Sequence, residues 1–449
     1  MARPDHPNVI VFLTDQQRWD STGVHGNPLD LTPNFDAVAA SGTHLQYSIT
    51  CQPVCAPARG CLQTGRYATN HGVYRNAIAL PAQEKTLAQY FRDGGYTTGY
   101  IGKWHLADAE PVLEAQRGGY QYWLGANAIE LVSDGYDTIV YDQDNQRVKL
   151  PGYRVDALTD AAIRYVSDHQ QESFFLFLSI LEPHQQNHRE VCVPPSVYRN
   201  RYNGRWTPPD LAALVGSAPQ QLGPYWGTVR RIDEAYGRLL DALESLHLQD
   251  NTIVLFTSDH GCHFKTREGG YKRSCHESSV RVPTVLTGPG FSGGGQVRDL
   301  VSHIDLPPTL LAATGLPVPA AMEGRSLLPL LRGERTDWPD DVFIQISESQ
   351  VGRAIRTRRW KYAVVAPDVN GNASPGADRY DERYLYDLED DPYELNNLIG
   401  LASHQEVATA LRQRLIRRMV AAGEAAPEIA PAAAERRGPR RVSSAEAYL

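Results

Sequence analysis

Four short apolar runs recur along the chain, at Asn8–Thr14, Thr98–Gly102, Ser173–Ser179 and Thr252–Thr257. Each is built largely from β-branched and aromatic residues, lacks polar–apolar alternation and is bounded by polar residues. A strand that faces water on one side alternates, whereas one covered on both faces does not. These runs therefore predict buried parallel strands. Between them, helical periodicity takes over at Asn34–Ser41, Thr86–Gly94, Val155–Gln171 and Tyr225–Leu246. Strands alternating with amphipathic helices predict an α/β fold: a mostly parallel central sheet with helices on both faces.

Beyond about Arg335 the pattern changes. Asp341–Glu348, Val351–Thr357, Trp360–Val365 and Tyr384–Leu388 are short strand-like pieces separated by turns, and His404–Met419 is helical. This predicts a small C-terminal antiparallel-sheet subdomain with one helix packed on it. The division expected is a large α/β domain over 1–338, the subdomain over 339–420 and a tail over 421–449. The tail is rich in Ala, Pro, Glu and Arg and is expected to be loose or to wrap a neighbour. No internal repeat is evident.

The polar residues fall in a telling place. Asp15-Gln16 follows the first strand directly, and Lys103-Trp-His105 follows the second. Glu182-Pro-His184 comes just after the third, and Asp259-His260 just after the fourth. Open α/β sheets bind ligands outside the carboxyl ends of their strands. Four acidic, basic or cationic clusters at four such ends predict one shared site.

Composition narrows the classes. A net charge of −8 argues against nucleic acid as a partner, because a binder normally shows a basic face. No apolar run approaches the roughly 20 residues needed to span a bilayer, so no membrane partner is expected. Met1–Asn8 is short and polar, and Val9–Leu13 is too short for a signal-peptide core, so a cytoplasmic location is expected. The six cysteines are Cys51, Cys55, Cys61, Cys192, Cys262 and Cys275. In a long chain read this way they are expected as reduced thiols, and their spacing lacks the paired clusters of a zinc site. Oligomeric state is left open, with the tail as one place for contacts between copies.

One segment combines these residue types most densely: Cys55-Ala-Pro-Ala-Arg59, continuing through Cys61 to Thr64-Gly-Arg66. It resembles the signature of the type I sulfatases, which belong to the alkaline phosphatase-like superfamily. Further segments extend the resemblance from about residue 8 to about residue 420. These are Gly102-Lys-Trp-His-Leu106, Asp259-His-Gly261, and Lys272 with Glu277, Arg281, Val282 and Pro283. Arg353–Tyr362 and the run from Leu385 to Leu398 resemble the family's C-terminal subdomain.

The resemblance implies an alkaline phosphatase-like fold and a sulfatase that hydrolyses a sulfate monoester. It implies that a formylglycine-generating maturation enzyme oxidises Cys55 to formylglycine (3-oxoalanine), whose hydrate is the nucleophile. It also implies one divalent metal, held by Asp15, Gln16, Asp259, His260 and the hydrated aldehyde at residue 55. Hard oxygen ligands fit Ca2+, while an imidazole ligand also admits Mn2+. Arg59 would hold the hydrate, Asp259 would act as its base, and Lys103 and Lys272 would face the sulfate oxygens. His184 would protonate the leaving alcohol, and His105 would take the proton from the second hydroxyl.

Two pairs depart from the commonest family pattern. Asp15-Gln16 with Asp259-His260 resembles the phosphonate monoester and phosphodiester hydrolase branch, whereas Lys103-Trp-His105 favours the sulfatases. Phosphonate or phosphodiester hydrolysis with the same nucleophile is therefore the alternative reading. An inactive binding protein on the same fold is a third, and it implies an unmodified Cys55 and no metal. For substrate binding, the polar run Gln185, Gln186, Asn187, His188 and Arg189 suits hydroxyls and carboxylates, so a sulfated saccharide is the substrate class expected. Tyr74, Arg75 and Asn76, which follow the signature segment, are read as lining the same pocket.

Overall fold

The computed structural model describes residues 6–334, 337–433 and 442–448. Its central sheet has 11 strands. The parallel heart runs in the order Thr252–Ser258, Asn8–Asp15, Phe174–Pro183, Thr97–Lys103, Tyr122–Ala126. One flank adds Val285–Thr287, Thr43–Ile49 and Gly295–Ser302, with Arg281–Val282 paired on Thr43–Ile49. The other adds the antiparallel hairpin of Thr138–Tyr141 and Arg147–Leu150.

All eight residues of the first strand are buried, as its unbroken apolar run requires. Ile10 and Phe12 point into one helical layer, with Phe35, Tyr236 and Phe256. Val9, Val11 and Leu13 point into the other, where Ala56, Leu62 and Phe91 meet them. The helix that begins at Cys55 is thus anchored on the odd face of the strand that ends at Asp15. Pairing with Phe174–Pro183 slips between Leu13 and Asp15, so the strand ends diverge where polar side chains take over.

The expected elements are present with shifted edges. The long helix runs from Ala218 to Ser245, beginning seven residues before the expected Tyr225 and passing through Pro224. Proline reads as a helix stop in sequence; Pro219, at the second helical position, sits where no N–H is needed, whereas Pro224 lies one turn further in and removes one i→i−4 bond that the rest of the long helix tolerates. The third strand extends to Pro183 and so includes Glu182.

The C-terminal sheet has five strands, in the order Asp341–Ile346, Gly352–Thr357, Trp360–Val365, Arg379–Asp387, Glu428–Ala430. The helix Gln405–Ala421 covers it through Val407, Leu411, Leu415 and Met419. Two expectations are corrected here. The sheet is antiparallel except at its last strand, which pairs parallel with Arg379–Asp387. The tail is not loose over its described part. Glu428–Ala430 extends the sheet, and Ser444–Tyr448 packs Ala447 into the subdomain core while the Glu446 carbonyl accepts from Trp360 Nε1 at 2.5 Å. Ile429, Val442 and Ala447 supply the apolar surface that makes this folding-back favourable. The remainder of the tail, the residues before His6 and the pattern change at Arg335 lie outside the described residues. No helix among the described residues is long and apolar enough to cross a membrane.

Candidate active site

The site gathers at the carboxyl ends of the parallel strands, around the first residue of the helix Cys55–Thr64. This helix has no side-chain cap from its own N-cap residue, Val54. Asn76 serves instead, its Oδ1 accepting the Ala56 N–H at 3.1 Å. Pro57 fits the first turn because its absent N–H is not needed there. Gly60 is required by a close approach, since a Cβ there would lie 2.5 Å from His71 Cε1. Cys55 is 2% exposed and Arg59, one turn on, is equally buried.

That one-turn spacing explains the motif, because residues i and i+4 share a helix face. Arg59 therefore reaches into the cluster beside residue 55. Its Nη1 donates to the Lys103 carbonyl at 2.8 Å and to Ser179 Oγ at 2.6 Å. Its Nη2 lies 3.0 Å from Asp15 Oδ2 and 3.2 Å from Asp259 Oδ2. Lys103, fully buried, bridges Asp15 Oδ2 and Glu130 Oε1, each at 2.9 Å. Gly102 makes this possible: its φ is +105°, and a Cβ there would sit 2.0 Å from the Ser179 carbonyl oxygen.

Asp15, Cys55, Asp259 and His260 present ligand atoms that all lie within 4.8 Å of one another, and all four residues are buried. The His260 tautomer follows from one bond. Nδ1 donates to the Gly261 carbonyl at 2.9 Å, which leaves Nε2 bare and facing Cys55 Sγ at 3.2 Å and the two carboxylates. Gln16 adopts a left-handed φ of 69°, and its N–H donates to Asp259 Oδ1 at 3.1 Å. Its Nε2 donates to Gln185 Oε1 at 2.6 Å, while its buried Oε1 has no hydrogen-bond partner among the described residues. A buried acceptor without a donor costs free energy, and a cation would remove that cost. Two carboxylates, an amide oxygen and a bare imidazole nitrogen thus form a donor set that fits a divalent metal.

Cations surround residue 55. Lys272 Nζ donates to Cys55 Sγ at 2.8 Å and lies 3.2 Å from His184 Nε2. His184 Nδ1 donates to the Gln185 carbonyl at 2.6 Å, so Nε2 accepts from Lys272. His105, held at φ 63°, also favours the ionised form of residue 55 through its side chain. Burial pushes the Cys55 thiol up, but Lys103, Lys272 and His260 outweigh it and bring the thiol well below its ordinary value. Burial and Cys55 likewise oppose ionisation of Asp15, yet Lys103, His184 and Lys272 hold it well below the usual carboxylate range. Asp259 goes the other way, raised by burial and by repulsion from Asp15 against the pull of His260 and Arg59. The two carboxylates thus diverge in proton affinity.

The polar loop residues are placed less uniformly. Gln185 joins the cluster through Gln16. Both ends of the Gln186 amide are engaged elsewhere, by Arg154 Nη2 at 3.1 Å and the Ser133 carbonyl at 3.0 Å. Asn187, His188 and Arg189 are exposed, and Arg189 pairs with Asp134. The Tyr74 carbonyl accepts from Gln52 Nε2, and Arg75 donates to the Asn76 carbonyl at 2.9 Å.

Sequence reading missed Glu130, Ser179 and Glu348. Glu348, from the C-terminal subdomain, accepts the Asn76 N–H at 2.7 Å and pairs with Arg273, beside Lys272. Glu130 follows the strand Tyr122–Ala126. Recognition of that strand would have exposed Glu130 by the same strand-end rule that found the other clusters.

A buried acid pair, an imidazole and the Cys55 side chain, ringed by Arg59, Lys103 and Lys272, define a hydrolytic centre for an anionic ester. The family model described as Sulfatase matches residues 7–316, and that for the C-terminal region of N-sulphoglucosamine sulphohydrolase matches residues 268–421. The chain belongs to the sulfatase family and is a sulfuric ester hydrolase. An ulvan-active sulfatase of Formosa agariphila is 28% identical over 444 residues, covering 94% of this chain and 82% of its own. The N-acetylglucosamine-6-O-sulfatase of Bacteroides thetaiotaomicron is 25% identical over 497 residues, with 91% and 85% covered. Among solved structures, a Bacteroides fragilis protein assigned as a sulfatase superposes with a TM-score of 0.82 at 24% identity, covering 94% of this chain and 97% of its own. A protein in complex with its substrate D-glucosamine-2-N,6-O-disulfate gives 0.77 at 24% identity, with 93% and 98% covered. The phosphonate monoester hydrolase of Agrobacterium radiobacter gives 0.74 at 23% identity, with 93% and 96% covered, and shares the fold.

Proposed function

We propose that this sulfatase cleaves sulfate monoesters of a sulfated saccharide, using residue 55 as formylglycine and one divalent metal. The observation that carries the proposal is the convergence on residue 55: Asp15, His260 and Lys272 all lie within 3.6 Å of its Sγ. An oxygen-bearing side chain there meets a ligand set on one side and a cation on the other. A formylglycine-generating enzyme is the partner this reading requires. The saccharide class draws on the relatives named for ulvan and for N-acetylglucosamine 6-sulfate.

Asp15, Gln16, Asp259 and His260 would hold the metal. When bound, it supplies a concentrated positive charge that favours ionisation of a hydroxyl beside it. Calcium is the ion proposed, because three of the four protein donors are hard oxygens; the His260 nitrogen makes manganese the second choice. The chain's own residues do the rest. Arg59 balances Asp15 and Asp259 and fixes their spacing. Lys272 offers its ammonium protons to the oxygen at residue 55 and to the substrate's sulfate oxygens, and Lys103 adds charge from behind Asp15. For His184 to supply the leaving alcohol's proton, its Nε2 must first take up a proton and give up the bond it accepts from Lys272, while His105 accepts a proton at residue 55.

The test has three parts. Peptide mass spectrometry after co-expression with a maturation enzyme must show the aldehyde at residue 55; unmodified cysteine overturns the nucleophile. Elemental analysis must show one metal per chain, lost in Asp259→Ala. Rates on 4-nitrophenyl sulfate must exceed those on an aryl phosphonate with the same leaving group. The reverse preference assigns the site to phosphonate chemistry, the second reading favoured by Gln16 and His260.

A further inference from the structure

The loop that leaves His184 and returns to the long helix carries a feature the catalytic centre does not use. From Tyr198 to Pro209 it reads Tyr-Arg-Asn-Arg-Tyr-Asn-Gly-Arg-Trp-Thr-Pro-Pro, with three arginines and no acid. In a chain of net charge −8 this is a local reversal of sign. Arg199, Arg201 and Arg205 are all exposed, and none has an ion-pair partner among the described residues. Beside them lies a cavity of about 420 Å³, lined by Tyr202, Asn203, Arg205, Trp206, Thr207 and Leu222 among others.

The cavity has a rigid aromatic wall. Trp206 is half-buried and stacks on Trp226 with ring centroids 6.1 Å apart and planes inclined by 28°. Its carbonyl accepts from Trp226 Nε1 at 3.4 Å. The Arg201 guanidinium lies 5.7 Å from the Tyr198 ring and 5.8 Å from the Tyr202 ring, which limits its wandering. Tyr202 and Trp226 share an apolar cluster with Tyr271, the neighbour of Lys272 in sequence.

These groups match one ligand chemistry. An aromatic face accepts the C–H surface of a pyranose ring, as it accepts other flat apolar surfaces. Asn203 and Thr207 are exposed and offer donors and acceptors for hydroxyls. Unpaired guanidinium forks suit sulfate oxyanions, which take two parallel N–H bonds. We propose that this cavity and its arginines form an accessory site for a sulfated saccharide, holding a sugar unit other than the one being cleaved. The proposal rests on the saccharide reading of the substrate. It adds that the enzyme grips a chain and does not act on isolated monosaccharides alone.

The experiment uses the full-length enzyme with dextran sulfate and unsulfated dextran as binding probes, measured by titration calorimetry at low and moderate salt. 4-Nitrophenyl sulfate, which carries one sulfate and no sugar, reports the catalytic centre. The variants are Trp206→Ala and the double variant Arg201→Ala/Arg205→Ala. Each is expected to weaken dextran sulfate binding by about tenfold, the scale on which aromatic and arginine anchors are felt. Turnover of 4-nitrophenyl sulfate should stay at the wild-type value. Unchanged binding in both variants overturns the site. So does a loss confined to the arginine pair, which would make the patch a charge-only surface for any polyanion. Should Trp206→Ala melt early, the exposed pair Asn203→Ala/Thr207→Ala replaces it and must weaken binding likewise. Absence of 4-nitrophenyl sulfate turnover in the wild type would sink the catalytic reading while leaving the binding result to stand or fall separately.

Discussion

Replacement of Lys272 by methionine tests the centre most directly. The side chain is 4% exposed, and its ammonium touches Cys55 Sγ at 2.8 Å and His184 Nε2 at 3.2 Å. Methionine keeps most of the stem and removes only the charge and its donors. Two unit charges about 3 Å apart at an effective dielectric of about 20 interact by about 5–6 kcal/mol. Only part of a unit charge develops at the reacting oxygens, so about 3–4 kcal/mol of transition-state stabilisation should be lost, or roughly 10²–10³-fold in kcat. The assay is kcat and KM on 4-nitrophenyl sulfate, corrected for the fraction of residue 55 in the aldehyde form, with melting temperature as a control on folding. A second substrate with a poorer leaving group separates the two contacts. Loss through residue 55 alone lowers both rates equally. Loss of the bond to His184 penalises the poorer leaving group further, because that group depends more on its proton. A variant within about threefold of wild type at matched modification and melting temperature would refute the role, since the charge interaction cannot be that small in a buried site.

Glu348→Ala removes the acceptor for the Asn76 N–H and the partner of Arg273. About a tenfold fall in kcat with little change in KM is expected from the misplaced helix start. Glu348→Gln, which keeps an acceptor, should restore part of it, and equal rates in all three proteins would show the contact to be idle. Lys361 lies 2.6 Å from Glu277 and 3.1 Å from Glu394, fully buried. Lys361→Met should cost about 3–5 kcal/mol in denaturant unfolding, because two carboxylates lose their shared cation; a cost below about 1 kcal/mol would contradict that. Burial raises the Glu130 carboxyl, but Lys103, His105 and His184 lower it to about 2. Its contribution is therefore complete above the unfolded value near 4.5 and is lost as pH falls through 2, at most about 3 kcal/mol. Glu130→Gln should flatten the acid limb of stability between those values, and an unchanged limb would refute the pairing. Dialysis against a chelator should lower the melting temperature, and added calcium should restore it better than manganese if oxygen donors dominate; no response to either ion would speak against the metal site.

The reach of the sequence can be judged from individual residues. The four parallel strands that carry the site were legible because burial on both faces leaves continuous apolar runs. Their polar sequels, Asp15-Gln16, Lys103, His184 and Asp259-His260, converge through the geometry of an open sheet. Tyr122–Ala126 escaped notice because Tyr-Trp-Leu-Gly-Ala is short and ends in small residues, and with it went Glu130. Thr43–Ile49 alternates weakly, and its place between an antiparallel and a parallel neighbour has no local signature. Asn76 was singled out as a pocket residue, but its part in capping the Cys55 helix depends on a contact 20 residues away. Glu348 was invisible for the same reason at greater range, since nothing in Ile-Ser-Glu-Ser announces a partner 272 residues upstream. The tail misled because an Ala- and Pro-rich composition reads as unstructured, whereas a few well-spaced apolar residues sufficed to seat its described part on the sheet.

Glu348 also bears on how such a chain can be divided or recombined. The carboxylate that braces both the Asn76 turn and Arg273 is donated by the smaller sheet. The two sheets are therefore not interchangeable modules: a C-terminal portion grafted from a relative keeps the active centre in order only if it brings an acid to this position. Truncation before Asp341 would leave every proposed metal ligand in place and still loosen the helix that presents residue 55. In heredity as in engineering, the unit that is copied must be larger than the unit that holds the chemistry.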